Sequence, residues 1–190
     1  MKIGKSMDSS KKVLLVATGS VAATRTDKIA QSLIEEGYST KVVLTPSAEP
    51  FFTQTSEYEL IDEKKHWEAW EESRSVLHIE LRNWADLILV APLSANTLAK
   101  MANGLCDNLP TCIVRAWDTS KPMLLAPAMN TYMWNNPFTE EHLKKVAEVY
   151  RAEVIPPISK TLACKEIGVG GIADTEVIVH KVKRVLPLSE

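Results

Sequence analysis

Three short runs without a polar residue inside them, Val13-Leu-Leu-Val-Ala17, Leu87-Ile-Leu-Val-Ala91 and Met123-Leu-Leu-Ala126, most constrain what this chain can become. A strand with one wet face alternates apolar and polar residues. A run that is apolar at every position has both faces covered, the condition of a parallel strand between two layers of helices. Thr40 to Leu44 and Glu153 to Ile155 are weaker strands of the same type. Between them lie helical patterns: Thr24 to Glu36 closed by Gly37, Ser94 to Asn103 closed by Gly104, and Phe138 to Tyr150 opened by Asn136-Pro137. Strand alternating with helix predicts an α/β fold with a doubly wound, mostly parallel sheet.

At 190 residues the chain is of single-domain size. Residues 1–10, polar and without an apolar centre, are expected to be a flexible tail, and residues 11–190 one folded domain. The 22 basic and 24 acidic residues nearly cancel and are dispersed, which argues against nucleic-acid and membrane-surface partners and for a small-molecule ligand. No apolar run approaches the ~20 residues of a membrane span. Three Cys without CxxC or metal spacing point to reduced thiols in a cytoplasmic compartment, with no metal site. Glu57 to Ser75, charged and holding Trp67 and Trp70, reads as a loop with one helical turn or a flap.

Thr18-Gly19-Ser20-Val21 ends the first apolar run and opens the first helix, where backbone N–H groups and the helix dipole favour a phosphate. The pattern is not GxGxxG, so a mononucleotide fits better than a dinucleotide. Thr45-Pro46-Ser47 and Pro92-Leu-Ser94-Ala95-Asn96-Thr97 follow the second and the Leu87 strands, bringing three hydroxyl-rich loops to one sheet edge. Ser94 is also a natural helix N-cap. His78 and Arg82 stand one helical turn apart, so a helix starting near Val76 sets a base and an anion clamp on one face, with Leu77 and Leu81 on the next; an exposed amphipathic helix has the same spacing. In Pro127-Ala128-Met129-Asn130-Thr131-Tyr132-Met133-Trp134 an amide sits among sulfur and aromatic side chains directly after a buried strand. Asn130 can donate to and accept from a substrate carboxylate or amide, or simply form a turn. Cys164 lies in a Gly-containing stretch from Lys160 to Gly171 of the sort that closes over a ligand, although a Cys after Leu-Ala also packs. Cys106 and Cys112 are assigned to buried helix and packing surface.

Taken together, PAMNxxMW, Thr18 to Ala22, His78-Ile-Glu-Leu-Arg82, Ala91 to Thr97 and Cys106-Asp-Asn108 resemble, in order, the homo-oligomeric flavin-containing cysteine decarboxylase family, over about Lys12 to Val185. Within it the likeness is closest to members that decarboxylate 4'-phosphopantothenoylcysteine to 4'-phosphopantetheine in coenzyme A biosynthesis. The resemblance implies a Rossmann-like flavoprotein fold and FMN held by Gly19, Ser20, Val21, Thr45, Ser47, Ser94, Ala95, Asn96, Thr97 and Ala128. It implies catalysis by His78 and a proton-donating Cys164, and substrate binding by Asn130, Arg82, Met133, Lys160, Thr161, Leu162 and Ala163. It also implies a homotrimer with FMN between subunits. The family's clamp, ACGDxGxGA, is altered here at Lys165, Glu166 and Gly171.

Decarboxylating an α-amido acid directly leaves an unstabilised carbanion, so the reaction requires an electron sink, which flavin supplies. By the family's chemistry the substrate thiol is oxidised to a thioaldehyde, carbon dioxide leaves to give an enethiol, and hydride return with a proton from Cys164 completes the product. An imidazole near ~6.5 facing a thiol near ~8.5 is about 2.7 kcal/mol short as its base, which the site must supply. Two other readings differ from this one. Regulatory family members inhibit a protein phosphatase and often lack one of the His, Asn or Cys kept here. Relatives acting on peptide carboxy-terminal Cys release the enethiol and need no proton donor.

Overall fold

The computed structural model describes residues 10–68, 74–161 and 167–188. Its centre is a six-stranded sheet in the order β3-β2-β1-β4-β5-β6 with every pairing parallel. The strands are β1 (Lys12–Ala17), β2 (Ser39–Leu44), β3 (Glu59–Leu60), β4 (Leu87–Leu93), β5 (Met123–Pro127) and β6 (Glu153–Val154). All seven residues of β4 and all five of β5 are buried, as unbroken apolar runs require. The chain winds outward from β1 through β2 and β3, then crosses back to β4 on the other side of β1. Strand order therefore reverses between β1 and β4, and a crevice opens outside their carboxyl ends.

Helices cover both faces. α1 (Thr26–Glu35) and α8 (Thr175–Val185) pack side by side on one, sealing a cluster with Leu15, Ile29, Leu89 and Ile178 at its centre. On the other lie α3 (Leu77–Trp84), α4 (Ala95–Asn103), α5 (Leu109–Arg115) and α7 (Pro137–Tyr150), over a cluster with Leu14, Val90, Leu98, Ile113 and Val146. Two shorter helices, α2 (Glu63–Glu68) and α6 (Thr131–Trp134), and an antiparallel hairpin of β7 (Ile158–Thr161) with β8 (Ile167–Gly171) complete the fold.

Local signals fix most boundaries. Ser94 caps α4 and Gly104 ends it at φ 69°, where a side chain is disfavoured. Asn108 and Thr111 form a reciprocal capping box at the start of α5. Asn136 caps α7 ahead of Pro137. The first helix departs from expectation: the Ser20 hydroxyl accepts from Ala22 N, so a 3₁₀ turn over Val21–Arg25 forms before the α-helix begins at Thr26. The Glu57 to Ser75 stretch holds β3 and α2; the side chain of Trp67, and Trp70 altogether, lie outside the described residues.

Candidate active site

Thr18 ties the two sides of the crevice together. Fully buried after β1, its hydroxyl donates to the Pro92 carbonyl at 2.8 Å and accepts from Ser94 N at 2.7 Å, while Thr18 N donates to the same carbonyl at 3.1 Å. An unmade bond at such a buried group costs about 1–3 kcal/mol, so the loops after β1 and β4 are held together. Thr18 opens the motif that the sequence marks for a phosphate, but nothing local distinguishes a bridging Thr from a strand-end Thr.

The loop after β2 joins them through glycine. A Cβ on Gly19 would overlap the Ser47 hydroxyl and Cβ, so only glycine allows these loops to touch. Thr45 and Ser47 share a hydrogen bond at 3.1 Å, and Thr45 N is held by the Ala17 carbonyl at 3.0 Å. Among the described residues, the backbone N–H groups of Gly19 and Ser20 donate to no acceptor, which suits them to an anion at the opening of the helical segment. Ala128 is drawn in by its N–H to the Leu93 carbonyl at 2.9 Å.

Gly19, Ser20, Val21, Thr45, Ser47, Ser94 to Thr97 and Ala128 thus lie on the loops and first helical turns of one sheet edge, whose free N–H groups and hydroxyls suit a mononucleotide. The hydroxyls divide by task. Ser94 caps α4, accepting from Thr97 N at 3.3 Å and donating to the Thr97 hydroxyl at 3.2 Å; Ser94, Thr97 and Thr45 are all buried. Ser47 and Asn96 are exposed and Ser20 half-buried, leaving these as the accessible polar side chains.

Asn130 follows β5 and caps α6, its Oδ1 accepting from Met133 N at 2.8 Å. The turn role is therefore real, and it leaves the Nδ2 amide as the group offered to a ligand. Met133 beside it is 48% exposed, open enough to form a wall. The β7–β8 hairpin stands directly on this turn. Met129 N donates to the Gly170 carbonyl at 2.9 Å; a Cβ on Gly170 would strike Met129 O, and one on Gly168 would strike Thr131. Gly170 also has φ 135°, outside the range of ordinary side chains. Lys160 and Thr161 sit on β7 opposite Gly168 and Ile167. Leu162, Ala163, Cys164, Lys165 and Glu166 lie outside the described residues.

α3 begins at Leu77, with Leu77 and Leu81 buried as expected and His78 half-buried, making no hydrogen bond among the described residues. Arg82 does not join His78 at an entrance. Its guanidinium donates to the Asn83 side chain at 2.7 and 3.2 Å and to the Ala116 carbonyl, the C-cap of α5, at 3.4 Å. One helical turn of rise, about 5.4 Å, carries it toward the amino-terminal end of the sheet. Lys121 reciprocates, its ammonium donating to the carbonyls of Arg82 at 3.0 Å, Asn83 at 3.3 Å and Ala85 at 2.7 Å at the C-terminus of α3. Arg82 thus sits at the C-terminus of α5, and Lys121, from the turn before β5, at that of α3, where helix dipoles favour positive charge.

A second unforeseen group is Asp27, buried in the first turn of α1, which accepts from Thr55 N at 3.0 Å, the Thr55 hydroxyl and Tyr58 OH at 2.7 Å. Burial pushes its carboxyl up, but the bonds from Thr55 and Tyr58 win and hold it below the usual range; burial and Asp27 together push the Tyr58 phenol up. This carboxylate staples the 55–58 loop to α1. Of the remaining thiols, Cys106 is exposed in the turn after α4 rather than on a buried helix, and Cys112 is half-buried on α5.

The flavoprotein family model matches residues 1–186. A rice (Oryza sativa subsp. japonica) protein named phosphopantothenoylcysteine decarboxylase is 48% identical over 179 residues, 92% of this chain and 80% of that one. A Schizosaccharomyces pombe protein named probable thymidylate synthase is 48% identical over 192 residues; these are 96% of this chain but 30% of that protein, so the chain spans less than a third of that relative. Among solved structures, a PPC decarboxylase mutant complexed with pantothenoylaminoethenethiol superposes with a TM-score of 0.87 at 45% identity, covering 92% of this chain and 97% of that one. The FMN binding protein AtHal3 gives a TM-score of 0.85 at 45% identity, over 95% and 99%.

Proposed function

We propose a function on the premise that this chain belongs to the flavoprotein family: it is an FMN-dependent carboxy-lyase that converts 4'-phosphopantothenoylcysteine to 4'-phosphopantetheine. The observation that carries this reading is the near full-length match, in sequence and in fold, to a decarboxylase complexed with an enethiol. The reaction belongs to coenzyme A biosynthesis.

FMN, when bound, supplies reversible two-electron oxidation at the substrate's thiol-bearing carbon. Everything else falls to the chain. Gly19 and Ser20 would hold the FMN phosphate with backbone N–H groups, and Val21, Thr45, Ser47, Ser94 to Thr97 and Ala128 would shape the rest of the cradle. His78 takes the proton from the substrate thiol. Asn130, its Oδ1 fixed by Met133 N, donates Nδ2–H to the substrate carboxylate or amide against the Met133 wall. Lys160, Thr161, Leu162 and Ala163 bind the substrate. Cys164 returns a proton to carbon after carbon dioxide has left. Arg82 acts on helix packing rather than as the anion clamp.

The enzyme works as a cytoplasmic homotrimer with FMN between subunits. Large apolar side chains left exposed near the crevice, Val21, Val76, Tyr132 and Met133, support an interface there.

Mass spectrometry of products from the FMN-loaded protein and 4'-phosphopantothenoylcysteine tests the reading. Phosphopantetheine is expected; unchanged substrate with FMN bound would sink it and favour a regulatory flavin-binding protein. A His78→Asn protein is expected to bind FMN and leave the substrate unoxidised.

A further inference from the structure

Two thiols that the proposed reaction leaves unused lie six residues apart, Cys106 in the turn after α4 and Cys112 on α5. Cys112, half-buried in the first turns of α5, donates its Sγ–H to the Cys106 carbonyl at 3.4 Å. Cys106 is exposed, and both thiols are free. Burial first, then the Cys106 thiol, pushes the Cys112 thiol up.

Their frame is held at several points. Lys100 pairs with Asp107 at 2.6 Å, Leu109 N donates to Glu63 at 3.4 Å, and the Asn108–Thr111 capping box fixes the turn between the two cysteines. A disulfide needs Cα atoms within about 7 Å. The Cys112 thiol already reaches the Cys106 backbone, at 3.4 Å from its carbonyl.

We propose that Cys106 and Cys112 are a modification site: a dithiol that closes to a reversible intrachain disulfide with small disulfide oxidants of the oxidised-glutathione type. The exposed Cys106, as thiolate, attacks one sulfur of the oxidant; a mixed disulfide forms and one thiol leaves. Cys112 then loses its proton and attacks the Cys106 sulfur, forming the intrachain S–S bond and expelling the second thiol. In balance, two protein thiols give up two protons and two electrons, and one oxidant disulfide becomes two thiols. Closure ties the end of α4, the helix opened by Ser94, to α5, which packs against the His78-bearing α3. The site stands on its own geometry and is independent of the reaction assigned above.

Lys100 and Arg115 bound a tryptic peptide, Met101–Arg115, that contains both thiols and no third. The FMN-loaded wild-type protein is equilibrated with oxidised glutathione, alkylated, digested and weighed. The expected peptide is lighter by two hydrogens, takes up no alkylating agent and returns to the alkylatable form with dithiothreitol, while Cys112→Ser keeps glutathione on Cys106. Full alkylation of both thiols, a lasting glutathione adduct on the wild-type peptide, or a bridge from either to Cys164 would overturn the proposal.

Discussion

At the scale of single residues, the site depends on groups that touch other protein atoms at least as much as on groups that face a ligand. Asp27 is the clearest case. Its folded pKa is held below the ordinary aspartate range, so the stability it contributes is fully present above that range and is lost as pH falls through the depressed pKa. Thermal melts of wild type and Asp27→Asn are therefore expected to differ most above about pH 4 and to converge in more acidic buffer; a constant gap down to pH 2 would contradict the staple. Gly170 is a second case. Alanine there adds backbone strain of about 1 kcal/mol or more and drives a methyl into Met129 O. The variant is expected to misplace the hairpin that carries Cys164 and to raise the ratio of enethiol to phosphopantetheine among products, read by mass spectrometry.

At the scale of elements, α3 is positioned by charge rather than by propensity. It is eight residues long, too short to hold itself in water, and its final carbonyls converge on the Lys121 ammonium. Lys121→Met removes those charge-assisted bonds and is expected to cost about 1–3 kcal/mol, seen as a lower denaturation midpoint at unchanged slope. Because α3 carries His78, the same variant is expected to lose turnover while retaining FMN affinity by fluorescence titration. A variant of wild-type stability would remove Lys121 from this role.

At the scale of the whole molecule, two buried clusters sandwich the sheet and leave its carboxyl edge open at the point where strand order reverses. Apolar side chains at that edge, with Val21 47% and Tyr132 76% exposed, are costly to leave in water. Light scattering is expected to return a mass three times the 21.1 kDa of one chain, and Val21→Asp with Tyr132→Asp to lower it. A monomer that retains full activity would exclude an active site shared between subunits.

What the sequence determined by itself is whatever short-range physics writes locally. Unbroken apolar runs gave the buried parallel strands, Asn136-Pro137 and Gly104 gave helix ends, and the loops after β1, β2 and β4 gave the cradle edge. The spacing of His78 and Arg82 places both on one helical face, but spacing does not say which end of a helix meets the crevice. That was decided by Lys121 and Ala116, far away in sequence. Thr18, Asp27 and the contacts of Gly168 and Gly170 with the Asn130 turn belong to the same class: their partners are brought up by the sheet, so the chemistry that fixes them exists only once the chain has folded.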